Sequence, residues 1–118
     1  MMKDPQVFLQ HLLECIKNIE IDTKNYDAEK FIRIRRTQDA VLRNLEIMGE
    51  AVKNLPDDFK TEHPEVLWKK VARFRDILIH FYFGVDLNIV WNVVREDLPE
   101  LKKKIERILE EIRNTKDD

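Results

Sequence analysis

Apolar residues recur at intervals of three and four along this chain, the spacing that places them on one face of an α-helix. Asp4-Pro5 reads as an N-cap followed by the first helical position, and Val7, Phe8, Leu12, Cys15, Ile16 and Ile19 then predict an amphipathic helix over about residues 5–21. Asp22 to Asp27 is a polar break, and Asp27 is placed to cap a second helix carrying Phe31, Ile34, Val41, Leu42, Leu45, Met48, Val52 and Leu55. Pro56 ends it, and the stretch from there to His63 is the longest candidate loop. Pro64 opens a third helix with Leu67, Val71, Phe74, Leu78 and Phe81 on one stripe, closed by Gly84 at the position after its C-cap. Asp86 caps a fourth segment from Leu87 to about Glu96, and Pro99 opens a last helix through Leu101, Ile105, Ile108, Leu109 and Ile112. The pattern predicts an all-α protein, an antiparallel bundle of four to five helices in one domain over residues 1–118.

Composition sharpens this picture by exclusion. Gly49 and Gly84 are the only glycines in 118 residues, so neither a G-x-G-x-x-G nor a G-x-x-x-x-G-K-[ST] phosphate loop can be written. Rossmann and P-loop nucleotide binding are therefore excluded. A 43% apolar fraction is enough for a core, which assigns the abundant charge to the outer faces of the helices rather than to disorder. The formal net charge of −2 gives no global footprint for nucleic acid, so any polyanion site must be local. Cys15 is the single cysteine, which rules out an internal disulfide, and no apolar run reaches the roughly 18 residues of a membrane span. A cytoplasmic protein without a membrane partner is the expectation.

The third helix carries more than a core stripe. At about 100° per residue, with Arg75 at zero, its core residues fill an arc near 280°, while Trp68, Ala72, Ile79 and Phe83 form a second apolar strip at about 20–80°. An apolar strip away from the core implies a second buried contact, either a neighbouring helix of the same chain or a second copy packed about a two-fold axis. The second case gives a homodimer with Arg75, Asp76 and His80 of both copies lining the interface. Asp76 and His80 are four apart, close enough for the carboxylate to fix the imidazole tautomer and hold its pKa near neutrality. A histidine for proton transfer, an arginine for phosphate charge and the phenol of Tyr82 suit metal-free cleavage of RNA. The plain alternative is a surface His–Asp pair without chemistry.

These residues also carry a family resemblance. Arg75-Asp76-Ile77-Leu78-Ile79-His80-Phe81-Tyr82 fits an R-x4-H-x-Y motif, and the chain around it resembles the HepT-like (DUF86) toxins of the HEPN superfamily. The segment Thr37 to Ala51 is similar to that family's second helix, and Phe83-Gly84-Val85-Asp86, Trp91 and Asp97-Leu98-Pro99-Glu100-Leu101 are similar to its C-terminal part. The resemblance implies an all-helical homodimer with a ribonuclease centre at the interface, acting as the toxin of a toxin–antitoxin pair. It implies as partner a MntA-like nucleotidyltransferase antitoxin that transfers AMP from ATP to a motif tyrosine. Residue by residue, it places Arg75 and His80 in the catalytic positions, Asp76 in the supporting polar position and Tyr82 in the position of the modified tyrosine. Ile77 stands where some members have a further tyrosine, leaving Tyr82 as the motif candidate, and Phe81 replaces a residue that is often small. The alternative from another class is a non-catalytic HEPN-like module that binds a nucleotide or the nucleotidyltransferase. No cofactor or metal is called for under either reading.

Local charge allows RNA contact. Lys30, Arg33, Arg35, Arg36 and Arg43 make the first half of the second helix basic against Asp39, and Lys69, Lys70 and Arg73 add to the third. Arg33, Arg36, Lys69 and Arg73 are the candidates for phosphate contacts, set against the ordinary reading of solvated helix faces. His11 and Cys15 share a helix face, but without a further ligand pair Cys15 reads as core. His63 reads as a loop residue, and Trp68 and Trp91 as packed indoles before stacking platforms. Glu46 and Glu50 could form half of a di-metal site, but with no Glu-x-x-His partner an Arg–Glu network involving Arg43 is preferred.

Overall fold

The computed structural model describes residues 4–76 and 86–116, and all its regular elements among these are helical. Helix α1 spans Pro5–Asp22, α2 Ala28–Arg33, α3 Arg35–Lys53, α4 Asp57–Glu62 and α5 Trp68–Ala72. After the undescribed stretch, α6 spans Leu87–Asn92, a π-helical turn Val93–Asp97, and α7 Leu98–Lys116. The expected Leu78, Phe81 and Gly84 positions lie outside the described residues.

Local chemistry sets the starts of these helices. The Asp4 carboxylate accepts from Gln6 N–H at 2.9 Å, Asp27 from Lys30 N–H at 2.8 Å, and Asp86 from Asn88 N–H at 2.9 Å. Each occupies an orphan donor of a first turn, as the sequence predicts. The chain leaves α1 through Thr23, whose hydroxyl donates to the Ile19 carbonyl at 2.7 Å, and turns at Asn25, held at φ 65°. Asparagine tolerates that left-handed geometry better than most residues with a side chain.

Three boundaries depart from the pattern. The helix expected from Asp27 to Leu55 is two helices, parted at Ile34, which is extended at φ −109° and ψ 98°. The buried Gln38 amide explains the break, because it donates to the Phe31 and Ile32 carbonyls at 2.8 and 2.9 Å and so satisfies the C-terminus of α2 from the first turn of α3. The expected loop after Pro56 contains α4, whose Phe59 is buried against Trp68 with ring centroids 6.2 Å apart. The third helix begins at Trp68 rather than Pro64, and it is interrupted at Arg73 before residues 74–76 turn helical again.

From Leu87 to Lys116 the chain is helical without a loop, so Pro99 does not start an independent helix. The Leu98 N–H reaches the Val93 carbonyl, five residues back, which marks the widened π turn. Pro99 has no N–H to give, and the wider turn before it accommodates the ring. At 1.5 Å per residue this helical run extends about 45 Å, in line with the 50 Å long axis of the molecule.

The core lies between α1, α3 and the C-terminal helical run. Leu9, Leu12, Ile16, Val41, Leu45, Met48, Ile105 and Ile108 are fully buried there. Phe31 packs on Trp91 with ring centroids 5.1 Å apart, which ties α2 to α6. Cys15 belongs to this core, and burial, with a smaller contribution from the nearby Glu14 carboxylate, raises its thiol pKa. Lys102 on α7 bonds both carboxylate oxygens of Glu20 on α1 at 3.0 and 3.2 Å.

Candidate active site

The third predicted helix brings Arg75 and Asp76 to the surface. His80 and Tyr82 lie outside the described residues. Phe74, immediately before Arg75, is buried, as is Val71 three residues earlier, so the core stripe of the sequence pattern holds here and turns Arg75 and Asp76 outward. It fails at Leu67, which was placed on the same stripe but is 61% exposed. The reason is that Leu67 precedes the first turn of α5, and extrapolating an ideal wheel back from Arg75 also ignores the interruption at Arg73.

Arg75 is held by a residue from another helix. Its Nη1 lies 2.6 Å from Glu50 Oε1 on α3, with both side chains about half exposed. The guanidinium has five N–H donors in a fixed fork, so this pairing sets its direction while leaving other donors for a second anion. Gly49 makes the approach possible. A Cβ built there would sit 3.0 Å from the Ala72 carbonyl oxygen and 3.1 Å from both the backbone nitrogen and the Cβ of Arg75. The close contact at Gly49 is thus with the Ala72 carbonyl and with the backbone of the arginine itself. Glu50 was weighed only with Glu46 and Arg43. The Arg–Glu pairing found is to Arg75, and a partner twenty-five positions away leaves no spacing signal within one helix.

The strip opposite the core is changed in part. Trp68 is only 7% exposed, and its Nε1 donates to the His63 carbonyl at 2.9 Å. It is therefore covered by its own chain, which removes it from the expected interface strip. His63 lies in the loop between α4 and α5, as expected, with its ring centroid 4.5 Å from that of Phe59 at a tilt of 44° and its Nδ1 3.7 Å from Glu65. Trp91 is also buried, so both indoles follow the packing expectation. Ile79 and Phe83 lie outside the described residues, and Ala72 is partly buried.

The candidate phosphate contacts fall in two places. Lys69 and Arg73 are exposed on and just after α5, within six residues of Arg75. Arg33 and Arg36 are exposed at the α2–α3 junction. Along α3, Arg36, Arg43 and Glu50 are seven apart and so share one stripe, with about 10 Å of rise per step. Ile47, one turn before Glu50, is 37% exposed, an apolar side chain beside the Arg75–Glu50 pair. Among the described residues, no group of three or more His, Cys, Asp or Glu side chains is arranged to hold a metal ion. No helix among them is long and apolar enough to cross a membrane.

Comparison with known proteins finds one matching family and several relatives. The profile of the family described as Ribonuclease HepT-like matches residues 12–108. A Thermococcus cleftensis protein named "Probable ribonuclease HepT" is 47% identical over 108 residues, covering 92% of this chain and 98% of that protein. A Methanocaldococcus jannaschii protein named "Gamma-glutamylcyclotransferase and putative RNase" is 46% identical over all 118 residues, and the chain spans about half (53%) of that relative's length. A Caldanaerobacter subterraneus protein named "Putative RNase" is 41% identical over 109 residues, covering 92% of this chain and 97% of that one. No solved structure matches the chain at a significant level.

Proposed function

Because this chain belongs to the HepT-like ribonuclease family, we propose that it is a metal-independent endoribonuclease whose centre is formed by Arg75 and His80. The observation that carries this reading is the Arg75–Glu50 pair. An arginine half-exposed at the surface, directed by a carboxylate from another helix over a glycine contact, is a preorganised anion site rather than a freely moving surface charge. In the proposed reaction His80 takes the proton of the RNA 2′-hydroxyl or supplies one to the departing 5′-oxygen. The 2′-oxygen forms a bond to phosphorus as the bond to the 5′-oxygen breaks, leaving a cyclic 2′,3′-phosphate. Arg75 stabilises the charge that accumulates on the phosphorane, and Asp76 orients the imidazole.

The proposal includes a homodimer with this centre at the interface. It rests on the family resemblance and on the exposed Ile47 beside the Arg75–Glu50 pair, with Trp68 no longer contributing. It also includes the biological setting that the resemblance implies. The chain acts as a toxin, and a MntA-like nucleotidyltransferase silences it by transferring AMP from ATP to the Tyr82 hydroxyl with release of pyrophosphate. Co-expression with a MntA-like nucleotidyltransferase, followed by intact-mass measurement, tests this. Added AMP that disappears in Tyr82→Phe is expected; no mass shift, or a shift that survives Tyr82→Phe, refutes the assignment.

A further inference from the structure

A groove of about 610 Å3 runs between the end of α3, α4 and α5. Its lining carries five cations, Lys53, Lys60, Lys69, Lys70 and Arg73, against one carboxylate, Asp57. The chain as a whole is slightly acidic, at a formal charge of −2, so this concentration of positive charge is local and not a consequence of composition. Two of the cations are already engaged. Lys60 lies 3.5 Å from Asp57 and donates to the Val52 carbonyl at 3.4 Å, and Lys70 pairs with Asp97 at 3.1 Å. Lys53, Lys69 and Arg73 are exposed and have no anionic partner among the described residues. Between the cations the groove is floored by apolar groups, with Val66 and Ala72 in the wall and Leu67, 61% exposed, on its surface.

We infer that this groove is a binding track for the single-stranded RNA segment that flanks the cleavage site. The inference rests on the ribonuclease reading above and adds to it the route the substrate takes. Three unpaired cations around an apolar floor are complementary to a strand that alternates phosphates with base faces. Continuity with the centre favours RNA over an acidic protein. Arg73, which lines the groove, stands two positions before Arg75 with their Cα atoms within about 7 Å of one another, so the groove ends on the segment that carries the proposed centre. Leu67, placed by the sequence in the core, acquires a role here as an apolar contact for a base.

Fluorescence anisotropy of a labelled 2′-O-methyl oligoribonucleotide tests the track without cleavage, because that probe has no free 2′-hydroxyl. The triple variant Lys53→Gln/Lys69→Gln/Arg73→Gln is compared with the parent and with Lys17→Gln/Lys103→Gln/Arg107→Gln, which removes three exposed cations from α1 and α7. The groove triple is expected to bind at least tenfold more weakly at 100 mM salt, with the slope of log K against log salt lowered by about 2, since each phosphate contact to a single strand contributes about 0.7. The α1/α7 triple is expected to bind within twofold of the parent. Unchanged binding by the groove triple overturns the proposal, as does an equal loss in the α1/α7 triple, which would mean attraction by charge alone. Loss of the nucleotidyltransferase complex with full RNA binding would give the groove to an acidic protein and also overturn it. Cleavage of unmodified RNA is measured in parallel. A parent that binds through the groove but does not cleave leaves the track standing and sinks the ribonuclease, whereas cleavage unaffected by the groove triple does the reverse.

Discussion

Arg75 and Glu50 illustrate how a charge can be placed without contributing much to stability. Both side chains are about half exposed, and pairs of that kind are worth up to about 1 kcal/mol. Glu50→Ala is therefore expected to leave the melting temperature within a few degrees of the wild type while lowering RNA cleavage about tenfold, because Arg75 loses the acceptor that sets its direction. Thermal unfolding and single-turnover cleavage measured together check this; a variant with full activity would show that Glu50 has no positioning role. Cys15 yields a prediction about pH. Burial raises its folded-state pKa, so the unfolded thiol ionises first as pH rises, from about 8.5. Between the two pKa values the unfolded state binds fewer protons, and stability must fall with pH in that window. Denaturant titrations should show a steeper loss between pH 8 and 10 for the wild type than for Cys15→Ala, and equal slopes would contradict the assignment. At this scale Arg75 and Asp76 could be read directly from the sequence, since their spacing to Phe74 and Val71 fixes the outward face, and so could Cys15, from its place on the apolar stripe of α1. The role of Glu50 could not, because its partner comes from a different helix.

Helix boundaries show a sharper division between what the chain spells out and what tertiary contacts decide. Asp4, Asp27 and Asp86 cap the helices they were expected to cap, because a carboxylate beside a first turn needs nothing from the rest of the fold. The break at Ile34 has no glycine or proline to announce it, and it depends on the Gln38 amide reaching back to two carbonyls of α2. Gln38→Leu keeps a similar volume and removes both donors, leaving a buried carbonyl unsatisfied. It is expected to cost about 1–3 kcal/mol, read as a lower denaturant midpoint with an unchanged slope; an unchanged midpoint would mean water replaces the amide. Gly49 is legible only as a small residue in a helix, yet its neighbours are the Ala72 carbonyl and the Arg75 backbone, which cannot swing aside. Gly49→Ala gains about 1 kcal/mol in helix propensity but meets overpacking of about 1–3 kcal/mol. A net loss of melting temperature together with weaker cleavage is expected, and a more stable, fully active variant would contradict it.

At the scale of the molecule, the apolar pattern correctly gives helices as the regular elements of the described residues, and the HepT-like family follows from the residues around Arg75 and from close relatives. The expected interface strip is the part that changed. A helical wheel reports only which residues share a face, and it cannot tell that α4 folds Phe59 over Trp68. The proposed dimer accordingly rests on the surface around Ile47 and the Arg75–Glu50 pair. Sedimentation at micromolar concentration should give twice the chain mass of 14.2 kDa, and a stable monomer would remove the shared centre. Under the proposed function, RNA binds along Lys53, Lys69 and Arg73 in the groove beside α5 and is cut at a centre formed by Arg75 and His80. The most direct test is cleavage of single-stranded RNA with excess EDTA by the wild type, Arg75→Ala and His80→Ala. The account predicts products ending in 2′,3′-cyclic phosphate from the wild type and at least about a hundredfold loss in each variant. A wild type inert on a broad RNA panel, or variants that cleave at its rate, would contradict it.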